Sequence, residues 1–564
     1  MKSITSFNAL AVAIMLGAAA RGFAQTTFTK ITEGDLVNDS GGFVGAAWGD
    51  FDKDGLLDVF LSHYSGVNTL YRNDGNGSFT KITQAAPVQD IDAHTVPSWG
   101  DYDNDGNPDL LVPAGLWSPQ RTHVRLYQNN GDGTLNEVSA GNLSTELGYF
   151  VGNWVDYDND GFLDVFVGNS PGPNQGGKGS LLHNNGDGTF TKTELTPLTS
   201  DSSVNFANLS ADYDNDGFVD LVILNNKAQA ANLLYHNQGN GIFTRVLTGA
   251  IATDPGAEYA SGGAWGDYDN DGFPDLFVAT DAAGPNRLFH NNGDGTFTKV
   301  TSGPMLSHPA GASSITCAWG DYDNDGYLDL FVSNRNAGNQ LFHNSGNGTF
   351  TQILSGWPVD DSGPGVSTFG ASWVDFDNDG FLDLLVLGPT PKLFYHNDGN
   401  ANAWLEIKCD GTVSNRSAIG AKVRVRATIG GKTFWQTRQI NAGGGYNTAP
   451  LVAHFGLGNA TNVEVLRIEW PSGSVQEVRE VPAKQILTLT EPPRLSMSLA
   501  TGVPQITLKG GRGFRYRIEA SDDLRVWSLF GDSTITNLSG TVSFADASLP
   551  ASARRFYRSI QVAQ

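Results

Sequence analysis

The nonapeptide DYDNDGFPD at residues 267–275 decides the fold of this 564-residue chain, because it is one copy of a repeat. The pattern D-x-D-x-D-G-x-x-D occurs seven times, and its copies begin at Asp50, Asp101, Asp156, Asp212, Asp267, Asp321 and Asp375. By subtraction, successive copies begin 51 to 56 residues apart. Seven copies at so regular a spacing indicate an array of structural repeats.

Each copy lies among segments that are typical of short β-strands. A strand with Trp two residues before the first Asp, such as Trp265, precedes six of the seven loops, and Ser210 takes the place of Trp in the fourth. A β-rich run follows the loop, then a third strand such as residues 286–291 and a fourth such as residues 296–300. The turn between them contains Asn-Gly and Asp-Gly, which supply the positive φ of tight hairpins. Four strands per repeat predict a β-propeller blade.

The seventh repeat is incomplete, because no fourth strand follows residues 393–400. The missing segment is found at the N-terminus, where FTKIT at residues 28–32 is identical to residues 79–83. An N-terminal strand that completes the last blade closes the ring and leaves no open edge. The sequence therefore predicts an all-β fold, with a seven-bladed propeller over residues 25–400 that is closed by the N-terminal strand.

The repeated loop also has the composition of a cation site. Positions 1, 3, 5 and 9 are carboxylates, the glycine at position 6 allows a sharp turn, and the carbonyl of position 7 adds a fifth oxygen. An all-oxygen ligand set favours calcium over magnesium, which requires strict octahedral geometry. The predicted ligands are, loop by loop, Asp50, Asp52, Asp54, Leu56 and Asp58; Asp101, Asp103, Asp105, Asn107 and Asp109; Asp156, Asp158, Asp160, Phe162 and Asp164; Asp212, Asp214, Asp216, Phe218 and Asp220; Asp267, Asp269, Asp271, Phe273 and Asp275; Asp321, Asp323, Asp325, Tyr327 and Asp329; Asp375, Asp377, Asp379, Phe381 and Asp383.

The charge of the chain supports bound cations. Seven loops with four aspartates each bring 28 carboxylates, which would repel one another without a counter-charge. About seven calcium ions would add 14 positive charges and move the formal net charge from −24 to −10. The same negative charge argues against nucleic acid as a partner.

The repeats resemble the FG-GAP/VCBS repeats of integrin α-subunit propellers and of many secreted bacterial proteins, over roughly residues 26–400. The resemblance implies that the calcium loops join the first two strands of each blade on one face, and that ligands approach the opposite face. Residues 401–490 resemble the ASPIC/UnbV domain, as in Gly443-Gly444-Gly445-Tyr446 and His454-Phe455-Gly456-Leu457-Gly458. Together the two parts are similar to the cartilage acidic protein family and its bacterial relatives. After a linker at 491–494, residues 495–564 alternate like a small β-sandwich.

Residues 1–24 have the features of a secretory signal peptide: Lys2, an apolar run at residues 9–20 and a small-x-small cleavage site at residues 22–24. We therefore expect a mature chain that begins near Gln25 and is secreted or lies at the cell surface. No later segment has the ~18 apolar residues that cross a bilayer, so we expect no membrane insertion.

Candidate ligand contacts are aromatic and polar residues in connections that belong to the predicted ligand face. They are Tyr64, His94, Trp117, Arg121, Tyr149, Tyr259 and Trp357. Such residues suit stacking on sugar rings or the anchoring of a protein partner. Five histidines share one position of the third strand, which indicates hydrogen bonding within the blade: His183, His236, His290, His343 and His396.

No catalytic motif is recognisable in the sequence. There is no nucleophile elbow, zinc-protease helix or phosphate-binding loop, and the two cysteines, Cys317 and Cys409, are too few for a disulfide framework. The leading hypothesis is a non-catalytic adhesion or recognition protein that binds a glycan or an extracellular protein. One alternative is a calcium-dependent polysaccharide lyase or hydrolase, with His94 as base and Arg121 stabilising the developing anion. A surface-layer structural protein is a further alternative.

Overall fold

A computed structural model describes residues 26–562, apart from the following residues and short segments: 65, 91–93, 114–122, 147–150, 169–176, 195–196, 228–229, 240, 255–258, 282–283, 310, 362–366, 389–391, 447–448, 501–502, 538 and 548–553. The predicted signal peptide lies outside the described residues. So do three candidate ligand contacts, Trp117, Arg121 and Tyr149.

The described part of the repeat region contains seven antiparallel four-stranded sheets, one for each repeat. The strands, numbered in chain order, begin with β1 (Phe28–Ile31), and six sheets then follow one another along the chain. The first three are β2 (Phe43–Gly49), β3 (Asp58–His63), β4 (Thr69–Asn73) and β5 (Phe79–Ile82); β6 (Ser98–Gly100), β7 (Asp109–Val112), β8 (Arg125–Asn129) and β9 (Leu135–Glu137); and β10 (Val151–Val155), β11 (Asp164–Gly168), β13 (Ser180–Asn184) and β14 (Phe190–Thr193), with a separate ribbon of β12 (Gly177–Lys178) and β15 (Ser202–Ser203). The next three are β16 (Asn205–Ala211), β17 (Asp220–Asn225), β18 (Leu233–Asn237) and β19 (Phe243–Val246); β20 (Ala260–Gly266), β21 (Asp275–Thr280), β22 (Arg287–Asn291) and β23 (Phe297–Lys299); and β24 (Ser313–Gly320), β25 (Asp329–Arg335), β26 (Gln340–Asn344) and β27 (Phe350–Ile353).

The seventh sheet contains the N-terminal strand. It consists of β28 (Ala371–Val374), β29 (Asp383–Val386), β30 (Leu393–Asn397) and β1, which pairs with β30 so that Phe28 lies opposite Asn397. Lys30 Nζ lies 2.6 Å from Asp361 Oδ2, as Lys81 Nζ lies 2.6 Å from Asp39 Oδ2 in the first sheet. The pairing predicted for residues 28–32 is therefore present, with the side-chain contacts of an ordinary fourth strand.

Hydrogen bonds join each of the seven repeat sheets to a neighbouring one. The last residue of each third strand is a buried asparagine whose Nδ2 donates to a loop carbonyl of the preceding sheet at 2.7–2.8 Å. Asn73 in the first sheet donates to the carbonyl of Phe376 in the seventh. The first strands also contact one another in chain order, and β28 contacts β2. These contacts run from each sheet to the next and from the seventh back to the first.

Short helices lie in connections outside the four-stranded sheets. Two have four residues each, α1 (Asp35–Asn38) and α2 (Ala250–Thr253), and three single 3-10 turns lie at Ala86–Val88, Leu143–Thr145 and Pro304–Leu306. Among the described residues, no helix is long and apolar enough to cross a membrane. The fold is all-β with repeated four-stranded sheets, as predicted.

The described residues after 400 form four further sheets. Residues 401–490, called the second domain below, contain β31 (Ala403–Asp410), β32 (Lys422–Ile429), β33 (Lys432–Gln439), β34 (Val452–Gly458), β35 (Asn462–Glu469), β36 (Val475–Pro482) and β37 (Ile486–Thr490), in the sheets β34-β31-β37 and β33-β32-β35-β36. The remaining strands are β38 (Arg494–Ala500), β39 (Val503–Lys509), β40 (Arg515–Ser521), β41 (Ser528–Thr534), β42 (Thr541–Ala545) and β43 (Phe556–Val562), in the sheets β38-β39-β42 and β41-β40-β43. Both cysteines are free and buried.

Candidate metal centre

The seven D-x-D-x-D-G-x-x-D loops, called the aspartate loops below, join the first two strands of each sheet and share one backbone conformation. In the sixth loop, Asn324 at position 4 and Gly326 at position 6 both have positive φ, 57° and 98°. Asp321 accepts hydrogen bonds from the backbone N–H groups of Asp325 (3.0 Å) and Gly326 (2.8 Å). Asp323 and Asp325, at positions 3 and 5, have carboxylate oxygens within 4.8 Å of each other and of a ring nitrogen of His343. Asparagine tolerates the left-handed conformation better than most residues, which explains its place at position 4 in six loops.

The aspartate loops are also tied to one another. In six of them the Nδ2 of the position-4 asparagine donates to the carbonyl of the position-6 glycine in the next loop, at 2.9–3.2 Å. The last of these bonds runs from Asn378 in the seventh loop to Gly55 in the first. Lys53 stands at position 4 of the first loop, so the link from the first loop to the second has no asparagine. Six of the seven aspartate loops are therefore joined to the next loop by a direct hydrogen bond.

Carboxylate oxygens in these loops are buried without hydrogen-bond partners. Among the described residues they are Asp50 Oδ1, Asp52 Oδ1, Asp156 Oδ1, Asp329 Oδ2 and Asp377 Oδ1. A buried acceptor without a donor is unfavourable by about 1–3 kcal/mol, and more if it is charged. A bound cation would satisfy these oxygens, and the donor set of carboxylates and carbonyls is the one that calcium prefers. The residues present therefore fit a calcium ion.

The electrostatics of the loops lead to the same conclusion. Burial, together with the neighbouring charges of Asp52 and Asp50, raises the pKa of Asp58 to about 8. Burial also raises the pKa of Asp101 and Asp156 well above the ordinary value, with the other aspartates of each loop adding to the effect. Packing several carboxylates together away from water favours their protonated forms. A divalent cation would remove this penalty by balancing the charge.

The repeated histidines face the aspartate loops, which the sequence analysis did not predict. His183 Nδ1 lies 3.1 Å from Asp164 Oδ1 at position 9 and 3.5 Å from Asp158 Oδ2 at position 3. The hydrogen bond to Asp164 raises the pKa of His183 to about 9. Gln128 takes the histidine's place in the second sheet and donates to Asp103 Oδ2 at 2.8 Å. The histidine's position in the sequence offered a clue to this contact, because each histidine directly precedes the repeated asparagine at the end of the third strand. The backbone N–H of that asparagine donates to the position-9 aspartate, as Asn184 does to Asp164.

The second domain covers the aspartate loops. Arg416 donates its backbone N–H to Asn104 Oδ1 in the second loop at 2.7 Å, and Lys422 Nζ lies 2.5 Å from Asp212 Oδ2 in the fourth. In the sixth loop, the carbonyl of Asn324 accepts from Gly458 N at 2.7 Å. Lys422 is buried, so its charge acts on the fourth loop with little screening by solvent. The face that carries the predicted metal sites is therefore also a domain interface.

The Gly-Gly-Gly-Tyr motif of the second domain enters the space between the first strands of the sheets. Thr316 Oγ1 in β24 donates to the carbonyl of Gly445 at 3.0 Å. A Cβ on Gly444 would overlap the carbonyl oxygen of Asn208, and one on Gly445 would overlap Ala207, both in β16. Glycine is required here because the backbone of residues 441–446, the glycine loop, passes directly against the first strands.

The candidate ligand contacts that the structure describes do not form one cluster. Tyr64 stacks on His63 with ring centroids 5.6 Å apart, whereas Trp357 stacks on Tyr395 at the seventh sheet and is 40% exposed. His94 is fully buried, with Nε2 3.0 Å from Asp90 Oδ2. Tyr259 is half-buried and has a positive φ of 60°. Tyr64, Trp357 and Tyr259 remain candidate contacts, whereas the placement of His94 is that of an interior residue.

Comparison with protein families agrees with the sheets and loops. The FG-GAP-like repeat model matches residues 50–112, 116–167, 156–223, 212–278, 267–332 and 321–386, which is more than half of the chain. The chain belongs to the FG-GAP-like repeat family. The model for the ASPIC and UnbV domain matches residues 411–495, which correspond to most of the second domain.

Cartilage acidic protein 1 from several vertebrates is similar to this FG-GAP-like repeat protein. The Mus musculus protein is 27% identical over 524 residues, covering 83% of this chain and 77% of its own length. The Homo sapiens protein is 31% identical over 305 residues, covering 50% of this chain and 43% of its own length. The Xenopus tropicalis protein is 25% identical over 524 residues, with the same coverage as the mouse protein.

Solved structures match this chain only distantly. One is an Agrocybe aegerita lectin described as recognising non-reducing terminal N-acetylglucosamine, with 19% identity, a TM-score of 0.40, and coverage of 59% of this chain and 80% of the lectin. Another is Saccharomyces cerevisiae Sqt1, with 13% identity, a TM-score of 0.40, and coverage of 66% of this chain and all of Sqt1. These TM-scores are too low to support an inference about ligands.

Proposed function

We propose that this FG-GAP-like repeat protein is an extracellular, calcium-stabilised recognition protein without catalytic activity. The observation that carries the proposal is the set of buried carboxylate oxygens in the aspartate loops that have no hydrogen-bond partner among the described residues, because calcium is the cation that suits carboxylate-rich sites. In this proposal each of the seven loops binds one ion, and the seven sheets are the blades of one closed propeller. Extracellular calcium sites of this class typically bind at ~10⁻⁴–10⁻³ M, so the ions act as structural elements.

The ligand in this proposal approaches the face opposite the aspartate loops. Support comes from the second domain, whose contacts with Asn104, Asp212 and Asn324 occupy the loop face. The opposite face consists of connections between strands, which can vary without disturbing the sheets. Exposed Trp357 and half-buried Tyr64 on these connections suit a glycan or a protein surface.

A catalytic role receives no specific support. The lyase hypothesis needs His94 as a base, and His94 is buried with both ring nitrogens engaged, Nδ1 by Asn68 Nδ2 at 3.0 Å and Nε2 by Asp90. A general base must reach the substrate proton. We therefore retain recognition as the proposed function.

The calcium part is tested by thermal unfolding of the mature chain in EDTA and in millimolar calcium. Calcium is expected to raise Tm, because a ligand that binds only the folded state stabilises it. Calorimetric titration of the EDTA-treated protein should give about seven ions per chain, and magnesium serves as the control ion. Equal Tm values in EDTA and calcium would refute the metal assignment.

The recognition part is tested by retention on immobilised acidic and neutral polysaccharides in calcium. Trp357→Ala and Tyr64→Ala should weaken retention, whereas Val475→Ala, an exposed apolar residue of the second domain, should not. Any retained polymer is then analysed for cleavage, which would revive the lyase hypothesis. Absence of retention on every polymer would refute a glycan ligand and leave a protein ligand to be sought. N-terminal sequencing of exported protein tests removal of residues 1–24.

A further inference from the structure

Glu406 in β31 is a buried carboxylate for which the sequence analysis had no role. The residue is only 5% exposed, and no described group donates a hydrogen bond to its side chain. A buried carboxylate is normally hydrogen-bonded or paired, because its transfer from water is costly. Its side chain lines a pocket, where a bound cation would balance its charge.

The side chain of Glu406 belongs to the face of β31 that lies on the seventh aspartate loop. Trp404, two residues earlier on the same face, packs so tightly on Gly380 of that loop that a Cβ there would overlap the indole ring. His454, opposite Glu406 in the pairing of β31 with β34, has Nε2 3.2 Å from the carbonyl of Gly380. Two neighbours of Glu406 thus contact position 6 of the seventh loop.

Glu406 and Asp375, the first aspartate of the seventh loop, line one pocket of about 200 Å³ between the propeller sheets and the second domain. Charged groups that interact with Glu406 include Asp375 and Asp379 of the loop and Lys408 on its own strand. Lys422 and Arg438 also line this pocket, but its carboxyl groups outnumber them, because Asp212, Asp267 and Asp321 line it together with Asp375 and Glu406.

We propose that Glu406 binds the calcium ion of the seventh aspartate loop, so that this ion joins the second domain to the propeller sheets. This inference rests on the proposed calcium sites. The loop itself offers Asp375, Asp377, Asp379 and Asp383 with the carbonyl of Phe381, which is five groups. Calcium takes six to eight oxygens, so its coordination has room for a carboxylate from outside the loop. The seventh ion then stabilises domain packing as well as the loop.

The test compares the Tm values of wild type and Glu406→Gln in EDTA and in calcium. In EDTA the variant should be more stable than wild type, because a buried negative charge is removed from an acidic cluster. The calcium-induced rise in Tm should be smaller in the variant, and calcium titration should show at least tenfold weaker binding at one site. Glu464→Gln, on the exposed side of the second domain, is the matched control and should change neither quantity.

A double-mutant cycle separates a ligand from a merely buried acid. Asp379→Asn weakens the seventh site itself, and in that background Glu406→Gln should cause no further loss of the calcium-induced rise. Additive losses, or an unchanged rise in the single variant Glu406→Gln, would overturn the role of Glu406. A wild-type protein that shows no calcium-induced rise would instead refute the calcium sites as a whole. The two failures are therefore distinguishable.

Discussion

Replacement of Gly445 by alanine tests whether the glycine loop is seated between the first strands of the sheets. Gly445 has a φ of 67°, and a Cβ at this position would overlap Ala207 in β16. Gly430, in the turn between β32 and β33, is a matched control: its φ is 57°, and a Cβ added there would have no neighbouring atom within 4 Å. Both substitutions place alanine in the left-handed region, and only one introduces a steric contact.

The expected magnitudes follow from these two geometries. An alanine in the left-handed conformation is destabilised by about 1–2 kcal/mol, which applies equally to both variants. An added methyl group in a tightly packed interior destabilises by a further ~1–3 kcal/mol. Gly445→Ala should therefore reduce the free energy of unfolding by about 1–3 kcal/mol more than Gly430→Ala does.

The assay is urea unfolding in calcium, followed by tryptophan fluorescence, with the midpoint and slope compared among wild type and the two variants. Limited proteolysis of the folded proteins adds a second readout, because an unseated glycine loop should expose the second domain to cleavage. Equal destabilisation by the two substitutions, with equal protease resistance, would show that residues 441–446 do not pack against β16 in solution.

Three further outcomes test other parts of the fold. Phe28→Ala should lower the free energy of unfolding by about 3–5 kcal/mol, because the ring is buried in the seventh sheet and its removal leaves a cavity. A change below about 1 kcal/mol in urea unfolding would show that β1 is not paired there. Asn291→Ala should lower the free energy of unfolding by about 1–3 kcal/mol, because it removes the hydrogen bond between neighbouring sheets. The control Asn292→Ala changes an exposed residue and should lower it by less than about 0.5 kcal/mol. Similar values for the two variants would refute the structural role of the inter-sheet bond. Cys317 and Cys409 should resist a thiol reagent until the protein is unfolded, because burial raises the pKa of both thiols and blocks access; rapid labelling of the folded protein would contradict their burial.

Local sequence was sufficient to predict the strands, turns and aspartate loops. The aspartate spacing, the position-6 glycine and the Asn-Gly turns act over a few residues, so their conformations follow from nearby chemistry. The identity of residues 28–32 with residues 79–83 also predicted the pairing of β1 with β30, because equal segments take equal places in a repeat array. The repeat therefore allowed one long-range strand pairing to be predicted from the sequence.

Contacts between unlike parts of the chain could not be read in this way. The histidines face the loops because sheet register brings the third strand beside position 9, a relation that spacing alone does not express. The sequence pattern assigned His94 to an open connection, but Asp90 and Asn68 hold it in the interior. The aromatic candidates Tyr64 and Trp357 lie on different sheets, so nothing local indicated whether they would meet.

The sequence by itself therefore determined the repeat, the all-β class and the oxygen-rich loops, because each depends on residues close together in the chain or on their repetition. Tertiary structure alone decided that the second domain covers the aspartate loops, that the glycine loop packs between the first strands, and that Glu406 lines the same pocket as Asp375. The physical reason is that docking depends on the shapes and charges of two folded surfaces. Neither surface exists until each domain has formed.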